Sequence, residues 1–197
     1  MIYANIITGG IGCGKSTFSN LLILEGFSVI DADKIGHDML SEHKDIIVQH
    51  FGKEIIENGT INRVALGAII FSNQEKKELL ESLLHPLIYN EISRQCKVLE
   101  HKKNPYFVEI PLYFESKSLY NANSVICVYA PKNLQIERIM QRNGLSQEEA
   151  MRRVESQIDI ETKRQKSDFV VENKKNLKAL QHNLVAFLKE FHQIYKS

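Results

Sequence analysis

Thr8-Gly9-Gly10-Ile11-Gly12-Cys13-Gly14-Lys15-Ser16-Thr17 limits what this chain can fold into more than any other stretch. Four of the ten glycines fall within these few residues, in the pattern G-x-x-x-x-G-K-[ST] framed by Gly9 and Gly14. Glycine accepts positive φ and carries no Cβ, so the backbone can curl tightly and aim successive N–H groups at the oxygens of a polyphosphate. Lys15 adds a mobile cation for the terminal phosphates, and the Ser16 hydroxyl is a hard donor placed for Mg²⁺. Ile2 to Ile7 reads as a short buried strand before the loop. Ser16 to Leu24, apolar at 18, 21, 22 and 24, reads as a helix after it. Strand, glycine loop and helix in that order set phosphates against a helix N-terminus, where unpaired N–H groups and the macrodipole favour negative charge.

Length and composition remove several alternatives. The 197 residues suit one α/β domain carrying insertions. Lys plus Arg total 25 against 24 Asp plus Glu, so no global positive field is present to hold nucleic acid. Cys13, Cys96 and Cys127 are odd in number and contain no C-x-x-C pair, which points to a reducing compartment and away from zinc. The seven histidines show no zinc-ligand spacing. The first apolar run stops at Thr8, too short for a signal or membrane segment, so a cytoplasmic protein without a membrane partner is expected. Cys13 is either just a small residue in the loop or an oxidation-sensitive thiol beside bound phosphate.

Phe27 to Asp31 reads as the second strand, completing a βαβ unit that carries Asp31-Ala32-Asp33 at its carboxyl end, where open parallel sheets bind ligands. Asp33 has two readings: it caps a helix beginning at Lys34, or it accepts the proton of an attacking hydroxyl. From Lys34 to Ser72 the chain reads as helical pieces with a turn at Glu57-Asn58-Gly59-Thr60 and no strand. This segment is long for a crossover and is expected to line a second substrate site. Arg63 is either a surface residue or a phosphate partner. Asn73 to Leu84 and Pro86 to His101 read as two helices meeting at His85-Pro86, where His85 either packs at the junction or points into a cleft.

Pro105 to Ile110 is the third predicted strand, followed by Pro111-Leu112-Tyr113-Phe114-Glu115. Glu109 lies near its carboxyl end, where an acid commonly assists Mg²⁺. Val125 to Ala130 is the fourth, apolar throughout and so buried on both faces. Beyond Pro131 come Arg138, Arg142, Arg152, Arg153, Lys163, Arg164 and Lys166, on helices that read either as a cationic lid or as a solvated hairpin. Ser146-Gln-Glu-Glu149 is a capping-box-like start. Asp168 to Glu172 is the fifth strand, with Asn173 beyond it. A final helix from Asn176 is expected to bury Leu177, Leu180, Leu184, Phe187, Leu188 and Phe191. The expected fold is a three-layer α/β/α P-loop NTPase domain over 1–197, with a five-stranded parallel sheet. Its core would be 1–33, 104–137 and 167–197, with a helical acceptor region at 34–103 and a lid at 138–166.

These motifs together resemble the dephospho-CoA kinase family. The resemblance rests on the glycine loop, Val29-Ile-Asp-Ala-Asp33, Ile61-Asn-Arg63 with Leu66 and Ile70-Phe71, Leu84-His-Pro-Leu-Ile88, Pro111-Leu-Tyr-Phe-Glu115, Gln141-Arg142 with the Ser146 to Ala150 start, and Asn173. It implies transfer of the ATP γ-phosphoryl group to the ribose 3′-hydroxyl of dephospho-CoA, giving CoA and ADP. It implies that Gly10, Ile11, Gly12, Cys13, Gly14, Lys15, Ser16 and Thr17 bind ATP with Mg²⁺ on Ser16, and that Asp33 is the base. Lys15 and Arg142 would act on the phosphates, with Arg138 and Asn173 bordering the adenine. Arg63, His85, Pro111, Leu112 and Glu115 would line the acceptor site beside Asp33. A monomer is the expected state. Glu109 departs from the Asp or apolar residue usual in the family, Tyr113 stands where leucine is usual, and no glycine follows Asn173. A nucleoside or nucleoside-monophosphate kinase would share loop, base and lid. A GTPase switch would need N-K-x-D, whereas Asn173-Lys-Lys-Asn176 ends without the acid.

Overall fold

The computed structural model describes residues 1–116 and 120–194. The chain runs β1 (Ala4–Thr8), α1 (Lys15–Leu24), β2 (Val29–Asp31), α2 (Ala32–Glu42), α3 (Lys44–Phe51), a 3₁₀ turn (Lys53–Ile55), β3 (Ile56–Glu57), β4 (Thr60–Ile61), α4 (Arg63–Ser72) and α5 (Gln74–Glu100). It continues through β5 (Tyr106–Glu109), β6 (Ser124–Tyr129), α6 (Lys132–Asn143), α7 (Gln147–Glu155), α8 (Ile160–Lys166), β7 (Phe169–Glu172) and α9 (Leu177–Ile194). Two compact units result: Met1–Ile30 with Val98–Ser197, and Asp31–Lys97. The sequence placed the edges of the helical region at 34 and 103; residues 117–119 and 195–197 of the expected core lie outside the described residues.

The first unit is organised by the five-stranded parallel sheet, in the order β2-β5-β1-β6-β7. Each residue of β1 and β5 is buried, so neither strand alternates; the polar Asn5, Thr8 and Glu109 among them are buried with hydrogen bonds to Ser124, the Pro111 carbonyl and Ser19. Ile6 pairs with Val108 on one side and Val125 on the other, and Tyr129 pairs with Glu172. Parallel register therefore brings the chain leaving Thr8, Glu109, Tyr129 and Glu172 to one edge, the ligand-binding edge of open α/β sheets. Helices flank the sheet, as expected: α1 and α9 pack together on it, and α8 packs on β6. Phe18, Phe169 and Phe187 meet edge-on at 5.4–5.8 Å, the geometry that ring quadrupoles prefer. In α9 the apolar spacing buries Leu180, Leu184, Phe187 and Phe191, but Leu177, the first residue of the helix, is exposed, contrary to expectation.

The second unit packs Leu40, Ile47, Phe51, Ile55, Leu66 and Leu80 into its own core. Two expectations fail here. Ile56–Glu57 and Thr60–Ile61 form an antiparallel hairpin where no strand was read. Asn58 and Gly59 both take positive φ, 50° and 78°, the pair whose twist suits adjoining strands, so the Asn-Gly turn builds a hairpin instead of joining helices. The two helices expected to meet at His85-Pro86 are one 27-residue helix, α5, with Pro86 inside it. Pro86 removes the bond to the Ser82 carbonyl, yet the flanking residues are good helix formers and Leu80, Ile92 and Cys96 are buried, which holds the helix together. Among the described residues no helix is long and apolar enough to cross a membrane.

Candidate active site

The glycine loop follows β1 and delivers Gly14, at φ 86°, as the left-handed cap of α1. The loop is clasped by its own unit. Asn173 Nδ2 donates to the Cys13 carbonyl at 2.9 Å, and Arg138 reaches the Gly12 carbonyl at 3.2 Å and the Asn173 carbonyl at 2.9 Å. Gln135, buried on α6, donates to the Ala130 carbonyl at 2.9 Å and lies so close that a Cβ on Gly12 would meet its carbonyl oxygen at 2.8 Å. A Cβ on Gly14 would overlap Asn173 Nδ2. The glycines thus answer two demands: inward N–H groups, and close approach by α6 and the loop after β7.

Lys15, nearly buried, folds its ammonium onto the Gly9 and Gly10 carbonyls at 3.1 and 3.0 Å. Ser16 and Thr17 are exposed at the start of α1. Ser16 Oγ donates to Glu109 Oε1 at 3.4 Å, and Ser19 Oγ to Glu109 Oε2 at 2.6 Å. The two residues expected to serve Mg²⁺ are therefore adjacent, and their hydroxyl and carboxylate oxygens form a hard donor set suited to that ion. The Cys13 thiol is buried in the main core, and burial pushes its pKa up, which fits a small packed residue better than a reactive thiolate. Burial likewise drives Cys127 up to about 12.

Beyond β5 the chain turns through Pro111 to Glu115. Pro111 O accepts from Thr8 Oγ1 and from Lys163 Nζ, both at 3.2 Å. Glu115 Oε1 pairs with Lys163 Nζ at 2.7 Å and accepts the Ile158 N–H at 3.0 Å. Leu112 is exposed, whereas Tyr113 is buried, its hydroxyl donating to Tyr120 O at 3.2 Å. Gln157 Oε1 accepts the Ile11 N–H at 2.9 Å, fixing the loop from the α7–α8 linker. Arg142, at the exposed end of α6, is not gathered into this network; its Nε donates to Asn143 Oδ1 at 3.0 Å. Ile160 and Lys163 on α8 are buried, so α8 belongs to the packed body and not to an outlying hairpin.

In the second unit Asp31 takes the capping role that the sequence left open for Asp33. Its carboxylate accepts the Lys34 N–H at 3.0 Å, and Asp33 lies inside the first turn of α2. Asp33 and His37 are four apart and share a helix face. His37 Nε2 accepts from Arg63 Nη1 at 2.8 Å, which ties the start of α4 to that face. Arg63 is placed there by Asn62, whose Oδ1 caps α4 through Val64 and Ala65 N–H at 2.9 and 3.1 Å. His85 is exposed on α5, three residues before Ile88, whose Cδ1 would stand 3.5 Å from a Cβ added to Gly36 of α2.

Sequence reasoning missed His37, Gln135, Gln157 and the burial of Lys163. His37 had a usable signal, its i+4 spacing from Asp33. Lys163 had none, since a lysine in a basic stretch reads as solvated.

A family model described as dephospho-CoA kinase matches residues 4–179. A dephospho-CoA kinase of Helicobacter pylori (strain ATCC 700392 / 26695) is 43% identical over 193 residues, covering 96% of this chain and 98% of that protein. The solved dephospho-CoA kinase from Campylobacter jejuni superposes with a TM-score of 0.76 at 40% identity, over 97% of this chain and 98% of that one. Shikimate kinase from Acinetobacter baumannii shares the fold alone, with a TM-score of 0.53 and 17% identity over 98% and 94% of the two chains.

Proposed function

The chain belongs to the dephospho-CoA kinase family, and from that premise we propose how its residues divide the labour of phosphoryl transfer. It is an ATP-dependent kinase acting at the final step of CoA biosynthesis. The ribose 3′-oxygen of dephospho-CoA attacks the γ-phosphorus of ATP, its proton passes to Asp33, and the bond from γ-phosphorus to the β–γ bridging oxygen breaks to release ADP. Loop N–H groups from Gly10 to Thr17 orient the phosphates, and Lys15 exchanges the Gly9 and Gly10 carbonyls for phosphate oxygens. Ser16, with Glu109 hydrogen-bonded behind it, would hold Mg²⁺, which supplies charge neutralisation at the phosphates. Arg142, with the α6–α7 part of the expected lid, brings positive charge to the negative charge that develops on the transferring phosphoryl group, and Arg138 and Asn173 border the adenine. To dephospho-CoA we assign Arg63 and His85 of the second unit and Pro111, Leu112 and Glu115 of the first. A monomer in the cytoplasm completes the reading, in keeping with three buried cysteines and no disulfide among the described residues.

The observation that carries the assignment of the base is the cap on α2: Asp31 satisfies the helix start, so that Asp33 is not needed there. Asp33→Asn is expected to keep ATP affinity within about threefold and to lower kcat by roughly 10² or more, the scale of a lost general base. Equal loss of ATP binding assigns Asp33 to metal or structure instead. The same coupled ADP-release assay with dephospho-CoA, uridine, AMP and shikimate as acceptors tests the substrate; absence of turnover with dephospho-CoA refutes it.

A further inference from the structure

Lys163 has no exposed surface, although its neighbours Arg164 and Lys166 face solvent. Its ammonium lies 2.7 Å from Glu115 Oε1 and donates to the Pro111 carbonyl at 3.2 Å. A buried ion pair of this kind is weak evidence for stability. Withdrawing an ammonium and a carboxylate from water is costly, and their attraction compensates only when the remaining lone pairs are also served; apolar residues of the same shape do as well or better. Here Glu115 Oε2 is buried and has no hydrogen-bond partner among the described residues.

The geometry of the pair supplies another role. Pro111 O, held by Lys163, is also held by Thr8 Oγ1, and Thr8 is the last residue of β1 before the glycine loop. Glu115 Oε1, held by Lys163, is also held by the Ile158 N–H; the preceding residue, Gln157, accepts the Ile11 N–H of the loop. Two routes therefore join the Pro111 to Glu115 turn to the glycine loop, one through Thr8 and one through the Gln157–Ile158 peptide. Lys163 is the group in which they meet.

We infer that Lys163 is a positioning residue for the transfer step, holding the Pro111 to Glu115 turn in register with the phosphate-binding loop. The inference rests on the reading of that turn as part of the acceptor site. The ammonium is enclosed by protein and acts through the turn.

The test compares wild type, Lys163→Met and Lys163→Met with Glu115→Gln, the last of which also removes the carboxylate charge left behind. For each, CoA formation is measured beside the slow transfer of the γ-phosphoryl group to water, which gives ADP and inorganic phosphate, and ATP affinity is measured by titration. The expected result is a transfer-to-hydrolysis ratio lowered about tenfold to a hundredfold with ATP affinity within about threefold, the loss that a slight misplacement of reacting groups brings. Loss of folded protein lowers both rates together and leaves the ratio alone, so a wild-type ratio in both variants overturns the inference. Leu112→Ala, at an exposed position of the same turn, separates the two layers of the argument. An unchanged KM for dephospho-CoA removes the acceptor role of the turn. A raised KM beside an unchanged ratio in the Lys163 variants removes only the role of Lys163.

Discussion

Gly14→Ala offers the sharpest test of why the loop is built from glycine. Two costs are separable in the structure. The first is backbone strain: φ of 86° is left-handed, and an L side chain there costs about 1–2 kcal/mol. The second is steric, because the new methyl would overlap Asn173 Nδ2 and drive that amide off the Cys13 carbonyl. A buried hydrogen bond broken with its groups left unsatisfied costs about 1–3 kcal/mol. Gly14→Ala should therefore destabilise the protein by about 2–5 kcal/mol in urea denaturation followed by far-ultraviolet circular dichroism. Asn173→Ala alone should cost the hydrogen bond, about 1–3 kcal/mol, and in that background Gly14→Ala should cost only the strain. The double-mutant cycle would then be non-additive by about 1–3 kcal/mol. If Gly14→Ala costs the same in both backgrounds, the Asn173 contact is irrelevant and only conformation requires the glycine.

Other perturbations follow from the same structure. Glu109→Ala strips Ser16 and Ser19 of their acceptor and should raise the Mg²⁺ concentration for half-maximal activity by about 10–100-fold, with dephospho-CoA KM little changed. Asn62→Ala removes the α4 cap, lowering stability by about 1 kcal/mol, and should raise dephospho-CoA KM because Arg63 is the residue next to the cap. The Cys127 thiol, held protonated up to about 12, gives a pH signature: the unfolded thiol ionises near 9 while the folded one does not. Its stabilising contribution is complete below pH 9 and is lost towards pH 12, at up to about 1.4 kcal/mol per pH unit, a slope that Cys127→Ala should lack in denaturant titrations.

The glycine loop was legible because its demands are local. A strand, a glycine run and a helix start within twenty-odd residues specify the loop, and parallel connectivity then brings Glu109 and Asn173 to the same edge. Where local signals competed, tertiary context decided. Asn58-Gly59 announced a turn, but only the flanking pairing of Ile56 with Ile61 makes it a hairpin. Pro86 announced a break, yet burial along α5 outweighed one missing hydrogen bond. Two aspartates flank the start of α2, and only the backbone distinguishes the cap, Asp31, from its neighbour. Lys163 was illegible because its significance lies in partners 48 and 52 residues away at Glu115 and Pro111.

The strand that everything joins is also the first to be made. β1 ends at Thr8, but its two neighbours are Tyr106–Glu109 and Ser124–Tyr129. At about 5–20 residues per second, a ribosome leaves the apolar Ile6-Ile7 edge without either partner for roughly 5–20 seconds. The segment that emerges meanwhile, Asp31–Lys97, carries a core of its own and can collapse early. The central strand of the kinase is thus exposed to aggregation during synthesis, and slowing translation between codons 9 and 129 should lower soluble yield more than slowing it afterwards.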